Sequence, residues 1–138
     1  MLDFESKKSL FIQLAIIIPG YLIATVMVGW IIGRITKAIV KNEKDKAFKK
    51  LIEAGLPNAG RYIGWLERFL IVTFILVNNY NGIGFILAAK GILRFGEIKE
   101  STDRKFAEYV ILGTLLSFSI SFLIGIIMKN LLETFTVK

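Results

Sequence analysis

The chain has 138 residues, 54% of them apolar, a mean hydropathy of +0.61 and a formal net charge of +7 at pH 7. That apolar share excludes a disordered chain, and it is more than one water-soluble domain of this length can bury. With neither cysteine nor histidine in the sequence, a disulfide framework, a thiol nucleophile, a Cys/His zinc site and any imidazole-based triad are excluded as well. The composition reads as an all-α, polytopic integral membrane protein that forms a single domain over residues 1–138.

A spanning helix needs about 20 mostly apolar residues. Residues 10–33 meet this without a single charge and form the first predicted span. Pro19 and Gly20 lie inside it, either kinking or locally unwinding the helix or simply tolerated there. The run is too long for the apolar core of a signal peptide and lacks a small-residue exit, so it reads as a retained span. Residues 42–54 follow as a basic amphipathic helix. Asn42 is the predicted cap, and Glu43 and Asp45 suit the first turn. Phe48, Leu51 and Ile52 share one face, and Lys44, Lys46, Lys49 and Lys50 decorate the rest. Gly55 and Pro57 end it. Such a helix lies on an anionic leaflet through its lysines, or extends the first span into water. A nucleic-acid role is disfavoured, because no glycine-rich phosphate loop accompanies the charge.

Residues 62–95 read as a charged helical hairpin turning at Asn78-Asn79-Tyr80-Asn81-Gly82. Its arms are short, so it either just crosses the bilayer or re-enters. Residues 109–128 form a second uncharged span, flanked by Glu108 and Lys129. The connection before the hairpin carries Arg34, Lys37, Lys41, Lys44, Lys46, Lys49, Lys50 and Arg61. The one after it carries Lys99, Arg104 and Lys105, while the turn carries no charge. The positive-inside rule puts both connections in the cytoplasm and both ends of the chain outside.

Glu67, Arg68, Lys90 and Arg94 fall within the hairpin, with Glu97 and Glu108 just beyond it. Charges at membrane depth need a partner or water. Folding the hairpin about Asn79 and Tyr80 brings Glu67 and Lys90 to similar depth, which predicts an ion pair. Lys90, Arg94 and Glu97 share a helix face. The group reads as a lock that fixes the hairpin, or as an anion-attracting vestibule lined by Lys90 and Arg94. A catalytic lysine is the weakest reading, since no phosphate-binding motif supports it. Small residues recur at every fourth position: Gly113, Ser117, Ser121 and Gly125 on the last span, Thr25, Gly29 and Gly33 on the first, Gly84 and Ala88 on the hairpin. These seams let helix backbones approach closely, within one subunit or between copies.

Several stretches between residues 64 and 117 carry a resemblance. They are Gly64-Trp65-Leu66-Glu67-Arg68, then Ile83-Gly84-Phe85-Ile86-Leu87-Ala88-Ala89-Lys90, then Leu93-Arg94-Phe95-Gly96-Glu97. Phe106-Ala107-Glu108-Tyr109 and Gly113-Thr114-Leu115-Leu116-Ser117 continue it. This part resembles the C-terminal membrane part of a family of uncharacterised bacterial inner-membrane proteins, a domain of unknown function. The resemblance implies a bacterial source and a membrane location. It implies no activity, and it picks out Glu67, Lys90, Arg94, Glu97 and Glu108.

The resulting expectation is a small membrane protein of the bacterial inner membrane that assembles by close helix packing, as a homo-oligomeric pore with an anion-attracting cytoplasmic side. The alternative is an accessory or regulatory subunit of a larger membrane complex. A lipid-active enzyme ranks below both. No catalytic residue, metal or cofactor is assigned; the expected partners are anionic lipids and either further copies or a larger membrane protein.

Overall fold

The computed structural model describes residues 4–53, 58–95 and 101–136, and among them every regular element is helical. Helix α1 (Phe4–Leu22), a π-helical turn (Ile23–Met27) and α2 (Val28–Asn42) run on as one rod. Then come α3 (Lys46–Glu53), α4 (Ala59–Leu76), α5 (Tyr80–Phe95) and the long α6 (Ser101–Thr136). Two stretches, Phe4–Asn42 and Arg104–Phe135, are long and apolar enough to cross a membrane. Both outrun the uncharged runs 10–33 and 109–128, because the polar flanks continue the same helices.

Helix α6 is the axis on which the other helices pack. Two apolar clusters hold the centre. Ala24, Val72 and Met128 join the rod, α4 and α6, while Ile71, Ile75 and Ile83 join α4 to α5 beneath Phe118 and Phe122. The outer surface is itself apolar: Phe11, Phe85 and Ile92 are each more than 70% exposed. The small-residue seams explain how tightly the centre closes. A Cβ on Gly125 would meet Ile75 Cδ1 at 2.5 Å, and one on Gly20 would overlap Met128. Ser117 and Ser121 are buried, and Gly113 faces Thr36. The seam of the last span is therefore taken up inside the subunit. Gly33 and Gly84 face open space, and Ala88 is exposed beside Gly84.

Three local expectations change. Asn42 ends the rod instead of capping α3. Asp45 is the cap, its Oδ1 accepting from the N–H of Ala47 at 2.9 Å and of Phe48 at 3.3 Å. The apolar face of α3 meets protein: Phe48 is buried, edge-on to Phe106 and Tyr109 of α6. Aromatic partners on α6 offer Phe48 a packed site that a bilayer surface does not, and Lys44, Lys46, Lys49 and Lys50 remain exposed. The hairpin turn is also tighter than 78–82. It occupies Val77 to Asn79, with Asn78 left-handed at φ 58°. Asn79 Oδ1 then accepts from the N–H of Gly82 at 3.3 Å, which caps α5 and draws Tyr80, Asn81 and Gly82 into its first turn. Lys129 Nζ donates to Asn78 Oδ1 at 2.5 Å and to the Tyr80 hydroxyl at 3.3 Å, so the turn sits level with the end of the apolar run of α6.

The rod remains helical through Pro19, and its departure from α geometry comes later, at Ile23–Met27. Here the N–H of Val28 donates to the carbonyl of Ile23, five residues back. Such a turn widens the helix and frees a carbonyl from the ordinary ladder. The hydroxyl of Thr25, at the centre of the turn, donates back to the Tyr21 carbonyl at 2.6 Å.

Candidate functional site

The site is built around Arg68 on α4, which is only 4% exposed. Its Nε donates to the Thr25 carbonyl at 3.1 Å and its Nη1 to Ser117 Oγ at 3.0 Å. The π turn presents the first acceptor and the small residue of the α6 seam the second. Two glycines make room for the guanidinium. A Cβ on Gly29 would lie 2.6 Å from Nη2, and one on Gly64 would lie 3.1 Å from Nη1. Gly29 thus serves to admit an arginine, a use that spacing alone reads as helix packing. Among the described residues no ion pair involves Arg68.

At the preceding residue, Glu67, Lys90 Nζ of α5 lies 2.7 Å from Oε1 and 2.8 Å from Oε2. The lysine straddles the carboxylate, so Glu67, Arg68 and Lys90 together carry two positive charges against one negative. Arg94 lies on the last turn of α5, but its side chain and Glu97 fall outside the described residues. Glu108 stands apart from this group. It is exposed on α6 and takes Arg104 Nε at 3.2 Å, an i,i+4 surface pair. Its neighbour Arg104 and the polar start of α6 keep it out of the helix interior.

Above Arg68 the helices splay. The rod and α4 touch little at this end, and a cleft of about 690 Å³ opens between α2, α4 and α6, with α3 across it. Arg68, Glu67, Lys90 and Ser117 lie at its polar floor, with Thr36 and Tyr109 higher up. Ile32, Ile52, Ile63, Phe106 and Val110 supply apolar walls. Below Arg68 the bundle closes on Ala24, Val72, Ile75 and Ser121, none of which has measurable exposure. The cleft within one chain is therefore blind.

The segment that leads into α3 is tied to α6. Lys105 Nζ lies 3.8 Å from Glu43 and 3.7 Å from Asp45. The backbone N–H of Phe48, then that of Ala47, and the nearby Lys105 together hold the Asp45 carboxyl below the usual aspartate range. This latch keeps Leu51 and Ile52 of α3 over the cleft.

Of the six charges singled out in the sequence, Glu67, Arg68 and Lys90 come together, and the sequence did not show their setting. Thr25 belongs to the small-residue series of the first span, and Gly64 and Tyr109 to the stretches that carry the resemblance, but nothing in those patterns gives their roles as acceptor, cradle and wall. Ser117 was visible as one of a series of small residues and within a stretch that carries the resemblance, and neither marks it as a hydrogen-bond partner of an arginine. Among the described residues no group of three or more His, Cys, Asp or Glu is placed to hold a metal ion. Compared with protein-family models, curated proteins and solved structures, the chain matches none.

Proposed function

We propose that this chain is a multi-pass protein of the bacterial cytoplasmic membrane that acts as a non-catalytic accessory component, with the cleft as its working site. The blind cleft with a positively charged floor carries this reading. A site closed below by unexposed side chains suits binding better than conduction. The end of the bundle where the cleft opens also carries Arg34, Lys37, Lys41, the α3 lysines, Arg104 and Lys105, and the positive-inside rule assigns that end to the cytoplasm. The contact of Lys129 with Asn78 supports a hairpin as deep as the apolar run of α6. The resemblance of residues 64–117 to a bacterial inner-membrane family supports the source and the location.

A pore between copies is the second reading. Gly84 and Ala88 favour it, because they leave one face of α5 open to close approach. Conduction would then run between subunits.

The absence of cysteine makes single replacements report topology directly. Lys49→Cys and Gly60→Cys should react with a membrane-impermeant maleimide only from the cytoplasmic side. Labelling of either in intact cells sinks the orientation, and release of the chain by alkaline carbonate sinks the membrane reading. Native mass spectrometry in nanodiscs separates the two roles: a monomer removes the pore, and a defined homo-oligomer lost in Gly84→Leu/Ala88→Leu restores it.

A further inference from the structure

We propose that the cleft receives the phosphate of an anionic lipid from the cytoplasmic leaflet, with Arg68 as its anchor and the apolar walls holding part of a chain. This rests on the membrane orientation proposed above. The charge arrangement carries the inference. A buried cation ordinarily has a carboxylate beside it. Here the adjacent carboxylate, Glu67, has both oxygens engaged by Lys90, while Arg68 is fixed by a carbonyl and a hydroxyl, both neutral. The three charges leave the floor with one uncompensated positive charge.

Among the described residues only two of the five N–H donors of the guanidinium are taken, by Thr25 and Ser117. Guanidinium is the side chain best shaped for the paired oxygens of phosphate. Because Arg68 is held by hydrogen bonds and by the Gly29 and Gly64 cradle, it is pre-positioned, and little rotamer freedom remains to be lost on binding.

Size selects among anions. At about 690 Å³ the cleft is in the range of pockets that hold a whole organic ligand, far larger than an inorganic ion requires. Ile32, Ile63 and Val110 would contribute nothing to a fully hydrated anion and suit an acyl chain. A Cβ on Gly60, in the cleft wall, would meet nothing within 4 Å, so the space beside α4 is open.

The test uses the full chain in nanodiscs of phosphatidylcholine mixed with phosphatidic acid, with bound lipid counted by native mass spectrometry after mild detergent exchange. One phosphatidic acid per chain should survive, in preference to phosphatidylcholine. Gly60→Trp enters the cleft wall at a position where a Cβ meets no neighbour, and it leaves Arg68 in place. It should weaken retention about tenfold to a hundredfold, as should Arg68→Met. Equal retention of both lipids, or unchanged retention in Gly60→Trp, overturns the proposal. Competition by inorganic phosphate alone would mark a soluble-anion site, and competition by oleate alone a carboxylate site; either also overturns it. Failure of the chain to co-elute with nanodiscs refutes the membrane reading instead, so the two failures are distinguishable.

Discussion

Gly29→Ala tests the arginine cradle most directly. The new methyl would stand 2.6 Å from Nη2 and 3.3 Å from Cζ of Arg68. The end of an arginine side chain ordinarily moves aside at little cost, but this one is held at 3.1 Å by Thr25 and at 3.0 Å by Ser117. Relieving the overlap lengthens one or both bonds. A hydrogen bond to a charged group contributes about 1.5–3 kcal/mol, whereas glycine to alanine within a helix returns about 1 kcal/mol. The substitution should therefore destabilise by about 0.5–5 kcal/mol, the lower end for one bond lost and the upper for both. In an Arg68→Met background the guanidinium is gone, and the same alanine should be neutral or stabilise by about 1 kcal/mol. Trp30 and Trp65 lie next to this contact in sequence or space, so fluorescence-monitored unfolding in detergent reports it. Additivity of the two changes within about 0.5 kcal/mol would mean that Arg68 is not held beneath Gly29.

Three further outcomes follow from the same contacts. Glu67→Ala should cost about 3–5 kcal/mol by stranding Lys90, and more than Glu67→Ala/Lys90→Ala; a double mutant as unstable as the sum of its singles removes the pairing. Ser121 Oγ is buried without a hydrogen-bond partner among the described residues. Ser121→Ala should accordingly leave stability unchanged or raise it by about 1 kcal/mol in the same assay, and a clear loss would reveal a partner. The lowered Asp45 pKa means that the contribution of its carboxylate to holding α3 is fully present above the unfolded value of 3.8 and is lost as pH falls through the lower folded value. Protection of the Ala47 and Phe48 amides, taken against the intrinsic exchange rate at each pH, should hold at neutral pH and fall in acid; Asp45→Asn should abolish this acid transition, and an unchanged transition would place the titrating group elsewhere.

The sequence made the helices and the ion pair legible because hydropathy and charge are local quantities that persist under folding. Residues 10–33 and 109–128 announce themselves by length, and Glu67 meets Lys90 because any antiparallel hairpin centred near Asn79 puts them level. The setting of Arg68 was hidden because it depends on a backbone irregularity. Nothing in Ile23–Met27 distinguishes a π turn from an α turn by composition, so the carbonyl of Thr25 could not be foreseen as an acceptor. Phe48 misled in a different way. An amphipathic helix has one apolar face whether that face meets lipid or protein, and only Phe106 and Tyr109 decide between them. Gly29 and Ser117 matched a close-packing pattern, which specifies that something approaches and leaves open whether it is a helix or a side chain.

A π turn is an α turn that holds one residue too many. Residues 23–27 are thus where the rod keeps count: removing any one of them would restore the ordinary ladder and rotate Phe4–Leu22 by about 100° against Val28–Asn42. Thr25 would turn its carbonyl back along the axis, and Arg68 would face a closed helix. Chain length in this stretch and the placement of the charge at position 68 are therefore mechanically linked. A relative one residue shorter here has no acceptor to offer an arginine and should carry an uncharged side chain in its place.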